Sequence, residues 1–180
     1  MGDPRLQRRT YSRPTHPWKV ERITQEAEVK KKYGLKNNKE IWKEKSSVGR
    51  FRQQARILLG SSGSQSEKEK NELIQKLNRL GIMKSTNPED VLKLTVDDLL
   101  ERRLQTLVYR KGLTRTIKEA RQHIVHGHIA IGDRVVNVPG YIIPISEEDK
   151  IKFKEGFTPK EPEQKVDKVE RGEEKGGEEI

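Results

Sequence analysis
The 180-residue sequence predicts an α+β protein: an N-terminal α-helical subdomain with an extended basic arm, then a small module of two helices and a β-hairpin, then an acidic tail. Three observations lead there. Apolar residues between positions 48 and 124 recur at i, i+3, i+4 spacing in runs closed by glycines, which is the pattern of short amphipathic helices. A Gly132-Asp133 pair stands between two β-branched runs, which is a hairpin signal. Charge is also partitioned: residues 1–60 hold sixteen basic and six acidic residues, whereas residues 155–180 hold five basic and nine acidic.

The whole chain carries 38 Lys and Arg against 28 Asp and Glu, a formal net charge of +10. That surplus argues for a polyanionic partner, with nucleic acid ahead of an anionic membrane. No apolar run nears the roughly 18 residues that a membrane span needs. With 31% hydrophobic and 37% charged residues, the buried core must be modest. Cysteine is absent, so disulfides and thiolate metal sites are excluded. Met1-Gly2-Asp3-Pro4-Arg5 shows neither the apolar stretch of a secretory signal nor, with Leu6 following, a myristoylation pattern. A soluble, cytoplasmic protein is expected.

Taken in order, residues 1–45 form a basic arm, partly extended by Pro4, Pro14 and Pro17 and partly helical between Gln25 and Trp42. Arg8 and Arg9 lie in it, and Tyr11, Trp18 and Tyr33 are interleaved with the cations as rings that could stack on bases. Residues 46–101 form the α-helical subdomain. Ser46-Ser47 caps a helix with Val48, Phe51, Ala55 and Leu58 or Leu59 on its apolar stripe, and Arg50, Arg52 and Arg56 lie off that stripe. After a polar linker, Ser66 and Glu69 have the spacing of a capping box ahead of Leu73, Ile74, Leu77 and Leu80. A short turn follows Asn87-Pro88, and Thr95 with Asp98 caps another helix, which either runs on to Arg110 or breaks near Glu101.

Residues 102–154 form the module. Leu104, Leu107 and Val108 give its first helix an apolar face, and Gly112 stops it. Thr116 and Glu119 cap the second, in which Ile117, Ala120 and Ile124 face the first. Tyr141–Ile145 reads as a strand, Ser146–Lys150 as a turn, and Ile151–Phe153 as the strand that closes a small sheet. Residues 155–180, poor in apolar residues, are expected to be disordered.

The ordered set Arg103-Leu104, Tyr109-Arg110, Arg115-Thr116, Glu119-Ala120-Arg121-Gln122, His126-Gly127-His128-Ile129 and Val136-Asn137-Val138-Pro139 with Tyr141 resembles the RNA-binding module of the small-subunit ribosomal protein S-four family. The resemblance extends over about residues 40–153, in the archaeal-type form that lacks the cysteine cluster some bacterial members use for zinc. It implies a structural protein that binds 16S-type small-subunit rRNA directly and nucleates assembly of the subunit body. It further implies a seat beside ribosomal protein S-five, near the path by which mRNA enters, with an influence on translational accuracy.

On the residues themselves, Arg115, Lys118 and Arg121 surround a capped helix N-terminus, where the Thr116 and Ile117 amides could help seat a phosphate. Arg103 and Arg110, two turns apart, could follow successive phosphates, or pair with Glu101 or Glu119. Gln122, His126, His128, Arg134 and Tyr141 complete the module's candidate contacts, the histidines by hydrogen bonding or stacking. Arg115→Glu combined with Arg121→Glu is expected to weaken RNA binding without unfolding the domain. No catalytic residue, cofactor, metal ligand set or small-molecule substrate is expected. An RNA-modifying enzyme of the pseudouridine synthase kind, or a stalled-ribosome RNA binder, is the alternative, since both classes use the same module. The first would need a separate catalytic domain.

Overall fold
The computed structural model describes residues 9–157. Arg8, and the expected disorder of the tail from residue 158 onward, lie outside these residues. Residues 9–19 have no regular structure and lie against the second helix, where the Ser12 amide donates to Ser46 Oγ at 3.2 Å. The first two helices are α1 (Val20–Lys32) and α2 (Asn38–Gly60). Ile41, Val48, Ala55 and Leu58 share one stripe of α2 and are all buried.

That stripe explains a difference from the sequence reading. The helix starts at Asn38, not at Ser46-Ser47, because Ile41 already extends the apolar face one heptad upstream. The two serines sit inside it, their hydroxyls donating back to the Trp42 and Lys43 carbonyls at 2.8 and 3.1 Å. Helix α3 (Ser64–Arg79) likewise begins before Ser66, whose hydroxyl donates to the Gly63 carbonyl at 3.0 Å instead of capping. A 3-10 helix, Pro88–Lys93, and α4 (Val96–Glu101) follow. The Thr95–Asp98 capping box forms as read.

Helix α4 joins two apolar clusters. Leu99 enters the one built by α2, α3 and the 3-10 helix, around Ala55, Leu77 and Val91, while Leu100 enters a second with Tyr33, Leu35 and Ile41. Each fully buried leucine here contributes roughly 1.5–3 kcal/mol. Tyr33 is only 3% exposed, so it serves this core and not a base-stacking surface.

The chain breaks at Arg102-Arg103 before α5 (Leu104–Arg110), and α6 (Ile117–Val125) packs across it. Their shared core holds Leu104, Leu107, Val108, Ala120 and Ile124. Strand β1 (Ile129–Ile131) pairs antiparallel with β2 (Arg134–Val135) through a two-residue turn, in which Gly132 takes φ 61° as such turns require. On its other edge β1 pairs with β3 (Ile151–Phe153), so the order is β2-β1-β3. Tyr141–Ile145 is not a strand of this sheet. Its backbone serves the start of α5, with Leu104 N donating to Tyr141 O at 2.8 Å and Ile143 N to Arg102 O at 3.1 Å. A single turn of helix, α7 (Ile145–Glu148), stands where a plain turn was expected.

Candidate nucleic-acid interface
The site grows from the α5–α6 pair, on or beside which Arg110, Arg115 and Lys118 lie exposed. At the start of α6, Glu119 Oε2 accepts from Arg115 N at 2.9 Å and Thr116 N at 3.4 Å, and Thr116 Oγ1 accepts from Glu119 N at 3.2 Å. The cap therefore answers from within the chain the Thr116 amide that the sequence reading offered to a phosphate. What remains outside is side-chain charge. Arg115 and Lys118 are exposed, and among the described residues no carboxylate lies within 4.0 Å of the charged group of either side chain. Arg110 is exposed, 3.1 Å from Glu101, a pair whose side chains are 51% and 41% exposed and so is loosely held. Arg134 is exposed beside Tyr141, with Glu147 3.9 Å away.

Two of the expected contacts turn inward. Arg103 is 3% exposed, and its Nη2 donates to Glu40 Oε2 at 2.6 Å. Arg121 grips the same carboxylate, with Nη2 on Oε1 at 2.9 Å and Nη1 on Oε2 at 3.2 Å, and Nη1 also reaches Gln105 Oε1 at 3.3 Å. Gln105 Nε2 donates to the carbonyls of Tyr33, Gly34 and Ile117 at 3.3, 3.1 and 3.0 Å. Burial acts to raise the pKa of Glu40, but the hydrogen bonds from Arg121 and Arg103 outweigh it and hold the carboxyl below its ordinary value. Glu44 feels the same burial, opposed by Arg103, and is raised. Arg103 and Arg121 thus form a clamp between α2 and the module.

Gln122 and His126 are exposed on α6 and its C-terminus. His128 stacks on Phe157, centroids 3.9 Å apart at 8°, and His123 meets both rings edge-on. Burial, then the neighbouring His123, His126 and Lys154, push the His128 pKa below its ordinary value, so the ring is neutral at pH 7. Tyr141 packs against the module core with its hydroxyl 3.2 Å from Glu147 Oε2. On α2, Arg50 and Arg56 are exposed, while half-buried Arg52 donates to the Leu94 carbonyl. Arg9 is exposed over the Tyr11 ring at 5.7 Å.

The family model described as the S4 domain matches residues 102–149. Small ribosomal subunit protein uS4 of Methanothermobacter thermautotrophicus is 51% identical over 166 residues, covering 92% of this chain and 95% of the relative. The uS4 proteins of Methanococcus aeolicus and Methanococcus maripaludis are 52% and 46% identical, each over 85% of this chain and 88% and 87% of their own lengths. The chain belongs to the uS4 family. These relatives are named as ribosomal proteins and not as enzymes.

The S4 domain match covers α5, α6, β1, β2 and α7 but stops short of β3. Glu40 is the residue the sequence reading missed most plainly. It lies 63 and 81 positions from its arginine partners, so no local spacing announces it. Arg102 was missed too: it ties the two halves through the carbonyls of Leu80 and Ile143, both at 3.0 Å, and Glu148 at 2.8 Å.

Proposed function
We propose that this chain is a structural constituent of the small ribosomal subunit and binds its 16S-type rRNA directly, with the exposed face of the S4 domain as the contact. The observation that carries the reading is the pair of unpartnered cations Arg115 and Lys118 beside the capped α6, with Arg110 and Arg134 also exposed on the module in loosely held pairs. Gln122, His126 and His128 extend the face with polar groups, and Arg9, Arg50 and Arg56 extend it along the N-terminal half. Arg103 and Arg121 act through Glu40, fixing the module to α2 so that the face keeps one shape. Lys and Arg displace counterions from closely packed phosphates, and selectivity comes from RNA shape, since the A-form major groove is closed to side chains. Early assembly of the subunit body, an influence on accuracy, and neighbours such as protein S-five and the incoming mRNA, all in the cytoplasm, belong to the same proposal through the family.

The test is a filter-binding titration of the full chain against full-length small-subunit rRNA at several KCl concentrations. Wild-type affinity should fall steeply with salt. Arg115→Glu with Lys118→Glu should weaken binding at least about tenfold and make the salt slope shallower by about two. A flat salt response, or unchanged binding by a variant with an intact circular dichroism spectrum, refutes the assignment of this face. Lys118 replaces Arg121 in this test because Arg121 is part of the clamp.

A further inference from the structure
We propose that the acidic segment 173–180 of this chain docks in the free protein on the exposed cationic stripe of α6, and that RNA displaces it from there. The proposal rests on the reading of that stripe as an RNA contact and adds an occupant for it from within the same chain.

The chain is delivered to α6 by a built turn. Strand β3 runs antiparallel to β1 toward the C-terminal end of α6, and just past it the Lys154 amide donates to His128 O at 2.8 Å. There the chain folds back instead of running on. Phe157 N donates to Lys154 O at 3.1 Å, and Gly156 takes φ 83°, the positive value that the third position of a type II turn requires. The turn lays Phe157 flat on His128, with ring centroids 3.9 Å apart, and brings it within 5.5 Å of His123 and 5.6 Å of Phe153. His126, the C-cap of α6, lies 5.9 Å from His128. Three rings thus fix the point from which residue 158 departs, beside the end of that helix.

From that point the exposed side of α6 leads to unpaired charge. His126, Gln122 and Lys118 are four residues apart and share one face, and Arg115 stands just before the helix. Glu119, the acid on α6, is spent on the cap. Residues 158–180 hold eight acidic and five basic residues, and within them 173–180 set Glu173, Glu174, Glu178 and Glu179 against Lys175 alone. The charges are complementary, and the reach is ample. The nine residues of α6 are roughly 14 Å long, which about five extended residues cover, and Glu173 comes 16 positions after Phe157. Attachment to the same fold keeps these carboxylates at an effective concentration of roughly millimolar, so weak surface pairs suffice. With Ile180 its one apolar side chain, segment 173–180 binds by charge and yields to the denser charge of RNA. The apparent affinity for RNA is then reduced by the fraction of chains whose face is bare.

The test uses the full chain. Zero-length carbodiimide coupling at low protein concentration and low salt should join the Lys118 amine to Glu173, Glu174, Glu178 or Glu179 within one chain, read by mass spectrometry of the monomer. Added small-subunit rRNA, or high salt, should abolish that product. Glu173→Gln, Glu174→Gln, Glu178→Gln and Glu179→Gln combined should tighten rRNA binding about fivefold at low salt and make the salt slope steeper by about two. The gain should vanish as added salt screens the segment in the wild type. The control combines Glu28→Gln, Glu67→Gln, Glu72→Gln and Glu89→Gln, all exposed on the helical half. It makes the same change in net charge away from α6 and should leave affinity within about twofold. Coupling of the four glutamates to lysines of the N-terminal half in place of Lys118 overturns the docking. So does coupling only between chains, or a quadruple tail variant that binds no tighter than the control. The two readings fail distinguishably. A flat salt response in the wild type removes both, whereas salt-dependent rRNA binding without the Lys118 product removes only this one.

Discussion

Replacing Glu40 with Gln tests whether α2 and the S4 domain are locked together through one carboxylate. The side chains involved are 17% exposed for Glu40, 4% for Arg103 and 24% for Arg121. Removing the negative charge strands the Arg103 guanidinium in the interior, where its Nε and Nη1 already lack hydrogen-bond partners. Breaking a buried ion pair costs about 3–5 kcal/mol. Gln keeps one acceptor and Arg121 can reach water, so the expected loss is about 2–4 kcal/mol. For a protein of this size that lowers the melting temperature by about 4–16 °C. Urea unfolding followed by circular dichroism should show a lower midpoint at unchanged slope. Glu40→Met combined with Arg103→Met should recover most of the loss, because no charge is then left in the interior and only Arg121, which can reach water, loses its partner. Acid titration gives a second reading. The folded pKa of Glu40 is lowered from 4.5, so its contribution is complete above that value and is lost as pH falls through the folded pKa. Glu44, raised by burial, acts in the opposite sense, so Glu40→Gln should flatten the acid limb without abolishing its pH dependence. A Glu40→Gln chain within about 0.5 kcal/mol of wild type would refute the clamp.

Two further outcomes follow from the module. His128 should titrate by NMR with a midpoint below 6.5, because its charged form is disfavoured beside Phe157, His123, His126 and Lys154. Its contribution to stability is present above pH 6.5 and declines as pH falls through the lowered value, and a midpoint at or above 6.5 would sink the argument. Thr116→Ala removes the hydroxyl that answers Glu119 N and should cost about 1 kcal/mol. Amide exchange should quicken in the first turn of α6, and an unchanged exchange rate there would count against the cap.

Much of the module was legible because its signals are local. The Thr116–Glu119 cap, the Gly132-Asp133 turn and the Leu104–Leu107–Val108 face all depend on residues within a few positions of each other. Ser46-Ser47 misled because a cap and a mid-helix hydroxyl bonded four residues back have the same composition, and Ile41 upstream decided between them. Tyr141–Ile145 has strand propensity, but its backbone is claimed by Arg102 and Leu104, which lie about forty residues earlier. The candidate contacts divided on the same line. Arg115 and Lys118, just before and within the first turn of α6, face solvent, while Arg103 and Arg121 answer a glutamate from another part of the chain. Charge read along a sequence counts arginines without saying which are already neutralised.

The family match opens at residue 102 and closes at 149, yet the hydrogen bonds do not respect those limits. Gln105 is held by the carbonyls of Tyr33 and Gly34, and Lys154, the residue after β3, donates its amide to His128 O at 2.8 Å. A fragment excised at the matched ends would therefore surrender an edge strand, with Ile151 from its core, and leave a guanidinium without its counter-charge. In this chain the S4 domain is not a portable cassette: grafting it elsewhere calls for the host to provide a carboxylate where Glu40 stands and two carbonyls where the α1–α2 connection passes.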